Sequence, residues 1–266
     1  MALLVCVLLA GTGVRAQQEE APVRDTDAER FAAAFSPYEP NYFSAGSSGP
    51  TNARFQVSMK FRMFNPGTRT AFLERIYLSY SQSSVWDLSS ESKPFRDSSY
   101  RPSIFYFDES AGAWPFADSI LGLQAGFEHE SNGKDADASR SLNIVFVKPI
   151  VTFPLGGTRF FSIEPKIYGY QNRDENPDIA DYRGHADLQV KWGDTDGFQW
   201  STLFRKGDRA GIYSVLMDLS YPLRRPTFGN LGGYFHFQIF DGYGESLIEY
   251  DRKSRTQYRL GLMITR

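Results

Sequence analysis

Cysteine is all but missing from this sequence: Cys6 is the only one in 266 residues. It falls within the first sixteen residues. A chain processed after that segment has no disulfide, and an oxidising compartment finds no thiol to act on. A surplus of charge is missing too. Lys and Arg number 29 against 31 Asp and Glu, for a formal charge of −2 and a pI near 6.0. That balance argues against a nucleic-acid partner and against a polybasic lipid-binding patch. Nor is there a long apolar run. Mean hydropathy is −0.39, and no stretch approaches the roughly 18 apolar residues of a helical membrane span. The N-terminal segment has Leu3, Leu4, Val5, Val7, Leu8 and Leu9 as an apolar core, and Val14-Arg15-Ala16 resembles a cleavage site before Gln17. It lacks only the Lys or Arg that usually precedes such a core. Too short to cross a bilayer as a helix, residues 1–16 read as an export leader.

What is present favours strands. The chain carries 22 Phe, 15 Tyr and 23 Gly, a mixture suited to strands and tight turns. Residues 17–36 are polar, charged and Ala-rich, and are expected to form a flexible or weakly helical arm. Turn-forming residues follow at 44–50. From Arg54 to Met63 the chain then alternates without error. Phe55, Val57, Met59, Phe61 and Met63 take one face, and Arg54, Gln56, Ser58, Lys60 and Arg62 the other. Period-two alternation is a strand with one apolar face. The pattern returns around Phe161–Tyr168, Ala186–Trp192, Tyr213–Tyr221 and Tyr234–Ile239, and again through Tyr258, Leu260, Leu262 and Ile264. A soluble sandwich would alternate similarly. Segments of about ten residues suit tilted strands crossing hydrocarbon, and polar faces carrying both charge signs suit a narrow filled lumen. The expected fold is all-β, a transmembrane antiparallel β-barrel over residues 37–266 with about ten to twelve strands.

The chemistry concentrates between Leu121 and Pro149. Leu121, Leu123, Ala125 and Phe127 alternate with Gly122, Gln124, Gly126 and Glu128, so the odd positions should face lipid. The same parity delivers His129 and then Ser131 to the oily side at a strand end. Residues two apart share a face, with Cα atoms roughly 6.6 Å apart, a gap an imidazole can close onto a hydroxyl. A polar loop follows and the chain returns through Ser139–Val147. A hairpin centred on Ala136 puts Asn143 opposite His129 and Ser141 opposite Ser131. Asn143 would then face outward too, placed to accept from the His129 Nδ1–H and fix its tautomer. A neutral Asn suits a lipid boundary, where a carboxylate would cost more to desolvate. A His-x-Ser tripeptide is worthless by itself, and the bland alternative is a polar rim with no function.

At this point the sequence resembles the outer membrane phospholipase A family. The resemblance rests on His129-Glu130-Ser131-Asn132-Gly133 followed by Ser139-Arg140-Ser141-Leu142-Asn143. It extends to Pro94-Phe95-Arg96 with Tyr100-x-Pro102, Asn176-Pro177-Asp178-Ile179, Gly242-Tyr243-Gly244-Glu245-Ser246-Leu247-Ile248, and Pro40-Asn41-Tyr42. It implies a twelve-stranded barrel with an exterior-facing site, in which Ser131 is nucleophile, His129 general base and acid, and Asn143 orienter. It further implies hydrolysis of both acyl esters of glycerophospholipids and of lysophospholipids through an acyl-enzyme. Calcium is implied at the Ser139 hydroxyl, the Lys134 carbonyl and a Ser92 carbonyl from a second subunit. Activity would require a homodimer, with Gln82 buried at its interface. The family's location is the bacterial outer membrane.

The sequence departs from that pattern in several places. It ends Met263-Ile264-Thr265-Arg266 where such barrels commonly end in an aromatic residue, and Glu130 adds a charge beside the triad, pointing by parity into the lumen. His185 and His236 have no Ser or carboxylate at triad or metal spacing and are expected to be ordinary barrel side chains. Asp135 and Asp137 read as solvated loop carboxylates, and Gly193–Gly197 as a plain turn. The rival to the enzyme is a non-enzymatic barrel, either a small porin or a relic whose triad no longer works. Polar side chains at most interior positions argue against an open pore.

Overall fold

The computed structural model describes residues 27–47, 49–64, 67, 70–112, 118–223 and 232–266. The expected leader with Cys6, and most of the expected arm, lie outside them. The chain divides into two units, residues 1–33 and 34–266. The helix α1 (Asp27–Ala34) falls almost wholly in the first. In chain order the strands of the second are β1 (Phe35–Pro37), β2 (Asn41–Gly46), β3 (Asn52–Arg62), β4 (Ile76–Asp87), β5 (Phe95–Gly112), β6 (Ile120–Ser131) and β7 (Ser141–Pro154). They continue with β8 (Arg159–Asn172), β9 (Ala186–Asp194), β10 (Gln199–Lys206), β11 (Tyr213–Pro222), β12 (Tyr234–Tyr243) and β13 (Lys253–Thr265). From β2 to β13 each strand pairs antiparallel with the next, and β13 returns to β2. This is a closed twelve-stranded barrel, which leaves no backbone edge open to lipid. The short β1 pairs with the far half of β3, alongside β2, so β1 and β2 act as one interrupted strand. The barrel therefore begins at Phe35, two residues inside the segment expected to be the arm.

Alternation sets which way each side chain turns. On β3, Val57 and Met59 are exposed on the outer wall while Ser58 is buried inside. On β12, Phe235 is exposed while His236 and Gln238 are buried. The outward face is mostly apolar, reaching 69% exposure at Leu260 and 73% at Ile264. Such a surface is stable only against hydrocarbon.

Ion pairs close the lumen. Glu128 meets Lys166 at 3.0 Å, Glu164 meets Lys148 at 2.7 Å and Lys191 at 2.8 Å, and Asp187 takes Arg205 at 2.7 Å. Arg259, fully buried, is held by Glu245 and Asn52. Where β1 gives way to β2 the chain dips inward. Tyr38 stacks on Phe105 at 4.9 Å and Glu39 pairs with Arg101 at 2.5 Å. Removing one member of such a pair strands a buried charge, a loss of about 3–5 kcal/mol. An open pore is incompatible with this filling.

One end of the barrel is capped by its own loops. Between β8 and β9, the short helix α2 (Ile179–Arg183) buries Ile179. The β12–β13 loop folds over beside it, burying Leu247 and Tyr250. The Ile248 N–H donates to Asp97 at 2.8 Å, and the Tyr250 hydroxyl donates to Asp178 at 2.5 Å. Burial first, then the Asp178 carboxylate, push the Tyr250 pKa above the ordinary phenol range and keep that hydroxyl a donor.

Candidate active site

The β6–β7 hairpin pairs His129 with Asn143 and Ser131 with Ser141. Inside the wall, Gln124, Glu128 and Glu130 are buried; outside, Phe127 is exposed and His129, Ser131 and Asn143 are half-buried. The Asn143 Oδ1 lies 2.8 Å from His129 Nδ1. An amide oxygen can only accept, so Nδ1 carries the hydrogen and Nε2 keeps its lone pair. Ser131 stands two residues further along the same face. A bulge adjoins the trio: β7 steps from Asn143 to Ile144 while β8 steps from Asn172 to Tyr170. Bulges commonly re-aim side chains at such places.

The β6–β7 loop is stapled from within. Buried Asn132 donates to the Ala138 carbonyl at 2.8 Å and accepts from the Arg140 N–H at 3.0 Å. Gly133 follows with φ +64, where a Cβ would stand 3.0 Å from the Tyr100 ring, so the turn requires glycine. Asn176, fully buried, accepts from the Ser141 N–H at 3.1 Å. Neither asparagine role was visible in the sequence, although both residues lie in quoted motifs. Glu130 turns inward, pairing with Arg183 at 2.7 Å and accepting from Ser99 at 2.6 Å.

The three positions expected to ligate calcium lie on two loops. Ser139 donates from its hydroxyl to Glu175 at 2.9 Å. Lys134 is anchored through its side chain, Nζ donating to the Arg96 carbonyl at 2.8 Å. Ser92 is exposed on the β4–β5 loop. A hydroxyl beside a carboxylate is a hard oxygen set of the kind calcium takes, so Ser139 with Glu175 fits the ion. Glu175 went unnoticed in the sequence because 36 residues separate it from Ser139.

Gln82 sits on β4 between Val57 of β3 and Tyr100 of β5, and Tyr100 in turn pairs with Ser131. One cross-strand row thus joins it to Ser131. It is a polar side chain on the outer wall, bonded to the Tyr80 hydroxyl at 3.0 Å.

The other two histidines need amending. His185 lies 3.4 Å from Asp208 near the loop end. His236 has both partners its sequence neighbourhood lacks: Ser44 at 2.7 Å from Nδ1 and Asp218 at 2.8 Å from Nε2. They were missed because Ser44 is 192 residues away and meets His236 only through barrel closure. Both are buried in the lumen, and Gly261 makes room for them; a Cβ there would lie 2.6 Å from the Ser44 Oγ. No ester could enter.

The family model described as phospholipase A1 matches residues 22–264. A putative phospholipase A1 of Neisseria meningitidis is 28% identical over 228 residues, covering 82% of this chain and 56% of that protein. The fold is similar to outer membrane phospholipase A from Escherichia coli, with a TM-score of 0.73, 26% identity, and coverage of 88% of this chain and 96% of that one. It is also similar to a Salmonella typhi outer membrane phospholipase dimer with bound calcium, with a TM-score of 0.72, 26% identity, and coverage of 87% and 92%.

Proposed function

The chain belongs to the phospholipase A1 family and is a bacterial outer-membrane β-barrel; from that premise we propose that it hydrolyses the sn-1 and sn-2 acyl esters of glycerophospholipids, and those of lysophospholipids, as a calcium-dependent homodimer. The reading is carried by the 2.8 Å bond between His129 and Asn143 on the lipid-facing wall, with Ser131 two residues along. A site on the outer wall meets both esters of a lipid from the side, which suits cleavage at either position.

The Ser131 hydroxyl attacks the ester carbonyl carbon while its proton passes to His129 Nε2. Asn143 holds the imidazole by Nδ1. The Ser131 N–H donates to the oxygen that becomes negative. The carbon–oxygen bond to glycerol breaks, and His129 returns the proton to the leaving alkoxide. Water then gives its proton to His129 and attacks the acyl-enzyme, releasing the fatty acid and restoring Ser131. Ser139 and the Lys134 carbonyl, with a Ser92 carbonyl offered by a second copy, would hold calcium. Bound there, the ion supplies positive charge to the oxyanion. The calcium-bound Salmonella dimer supports both the ion and the pairing of two copies. In this reading residues 1–16 are an export leader and 17–34 an arm ahead of the enzyme domain.

The test is fatty-acid release from phospholipid by protein refolded in detergent, with calcium or chelator, for wild type and Ser131→Ala. Calcium-dependent release that disappears in the variant is expected. Release equal to background throughout would leave a barrel without catalysis.

A further inference from the structure

The mouth of the barrel holds a concave surface that the triad leaves unused. Arg96 at the start of β5, Asp137 and Arg140 in the β6–β7 loop, and Glu249 and Arg252 in the β12–β13 loop line one pocket. Three guanidiniums face two carboxylates there. Arg96 gives one arm to Glu249 at 2.7 Å. Arg140 directs one nitrogen at the Asp137 and Ser139 carbonyls, 2.9 and 2.6 Å away, and leans over the Tyr250 ring at 5.9 Å. Its Nε is buried with no acceptor. The Arg252 side chain has no partner among the described residues. A buried N–H without an acceptor is costly, and forked guanidiniums match phosphate oxygens in pairs.

Its position ties this pocket to the reacting ester. Arg140 directly precedes Ser141, the cross-strand partner of Ser131. Both backbone groups of Arg140 bond Asn132, the residue after Ser131. In a glycerophospholipid the phosphodiester is joined to the same glycerol as the ester under attack. We propose that Arg140, Arg252 and the free arm of Arg96 form a phosphate subsite that takes the headgroup phosphate of the lipid whose ester lies at Ser131. The proposal rests on the hydrolytic reading above and names how the substrate is held.

Two measurements on full-length protein in detergent test it, with wild type, Arg252→Gln, Arg252→Lys and the double variant Arg140→Gln/Arg252→Gln. The first is calorimetric titration with inorganic phosphate in the absence of calcium. The second is the ratio of kcat/KM for phosphatidylglycerol to that for a diacylglycerol with the same chains. Phosphate binding is expected in wild type, to be retained in part by Arg252→Lys, and to be lost in the double variant. The ratio should fall about tenfold in the double variant. A general loss of fold or of triad geometry would lower both rates and leave their ratio alone, which overturns the proposal. Phosphate binding unchanged across the variants overturns it as well. Phosphate binding lost with the ratio unchanged assigns the pocket to free phosphate and overturns the headgroup assignment. If no form cleaves either ester the hydrolytic reading falls, and the titration alone decides whether the pocket takes phosphate.

Discussion

Two serine–histidine pairs stand on opposite sides of one barrel wall. Outside, His129 is held by Asn143, with Ser131 beside it, half-exposed where lipid meets the protein. Inside, His236 lies between Ser44 and Asp218, a more familiar serine–histidine–aspartate array with contacts of 2.7 and 2.8 Å on its two ring nitrogens, yet with imidazole and serine fully buried. The orienting group differs as the surroundings do. A carboxylate is tolerated in a polar lumen where Gln238 also donates to Asp218 at 2.9 Å, whereas the lipid boundary carries a neutral amide. Hydrogen-bond geometry alone would favour the inner pair. Access to substrate favours the outer one.

The comparison breaks most sharply at the two serines. Ser131→Ala should lower fatty-acid release by about 10³-fold or more, the order of losing a serine nucleophile, while Ser44→Ala should stay within roughly threefold of wild type. Reversed results would move the reaction into the lumen. Chelating calcium comes next, with release expected to fall about 10²–10³-fold, as when one oxyanion-stabilising interaction is removed; an enzyme indifferent to chelator would sink the ion's role. Asn143→Ala frees the outer imidazole to misorient and should cost about 10²-fold in kcat with KM little changed. Its inner counterpart, Asp218→Asn, should leave kcat alone and lower stability by about 1–3 kcal/mol, read from urea unfolding in detergent. Smallest is Gln82→Leu. Replacing this polar side chain on the outer wall should weaken the calcium-dependent dimer by about 1 kcal/mol in sedimentation equilibrium. A dimer constant that does not move would take Gln82 out of the interface.

Much of the outer site was legible beforehand because every step to it is local. Alternation from Leu121 onward assigns His129 and Ser131 to the outer face, and a short loop fixes the index at which Asn143 returns. The observed pairing of 129 with 143 and 131 with 141 follows that register. The strands around Arg54–Met63, Ala186–Trp192 and Tyr213–Tyr221 were equally plain. The start of the barrel was not, since Phe35–Pro37 is too short to show a period and is a strand only because β3 lies beside it. Glu175 beside Ser139, Asn176 under Ser141 and the inner trio were hidden for a related reason. Each partner arrives on a strand or loop far away in sequence.

By itself, then, the order of residues settled the two-residue period, the side of the wall each side chain takes, and the register of hairpins whose loops are short. Those are decided by bonds and sterics between near neighbours along the chain. Which distant strands meet was decided only by closure. The return of β13 to β2 sets Ser44 against His236 and fills the lumen with paired charge, and the folded loops bring Arg140 and Arg252 to one pocket. Those contacts depend on how twelve strands stagger around a common axis, which no local pattern encodes.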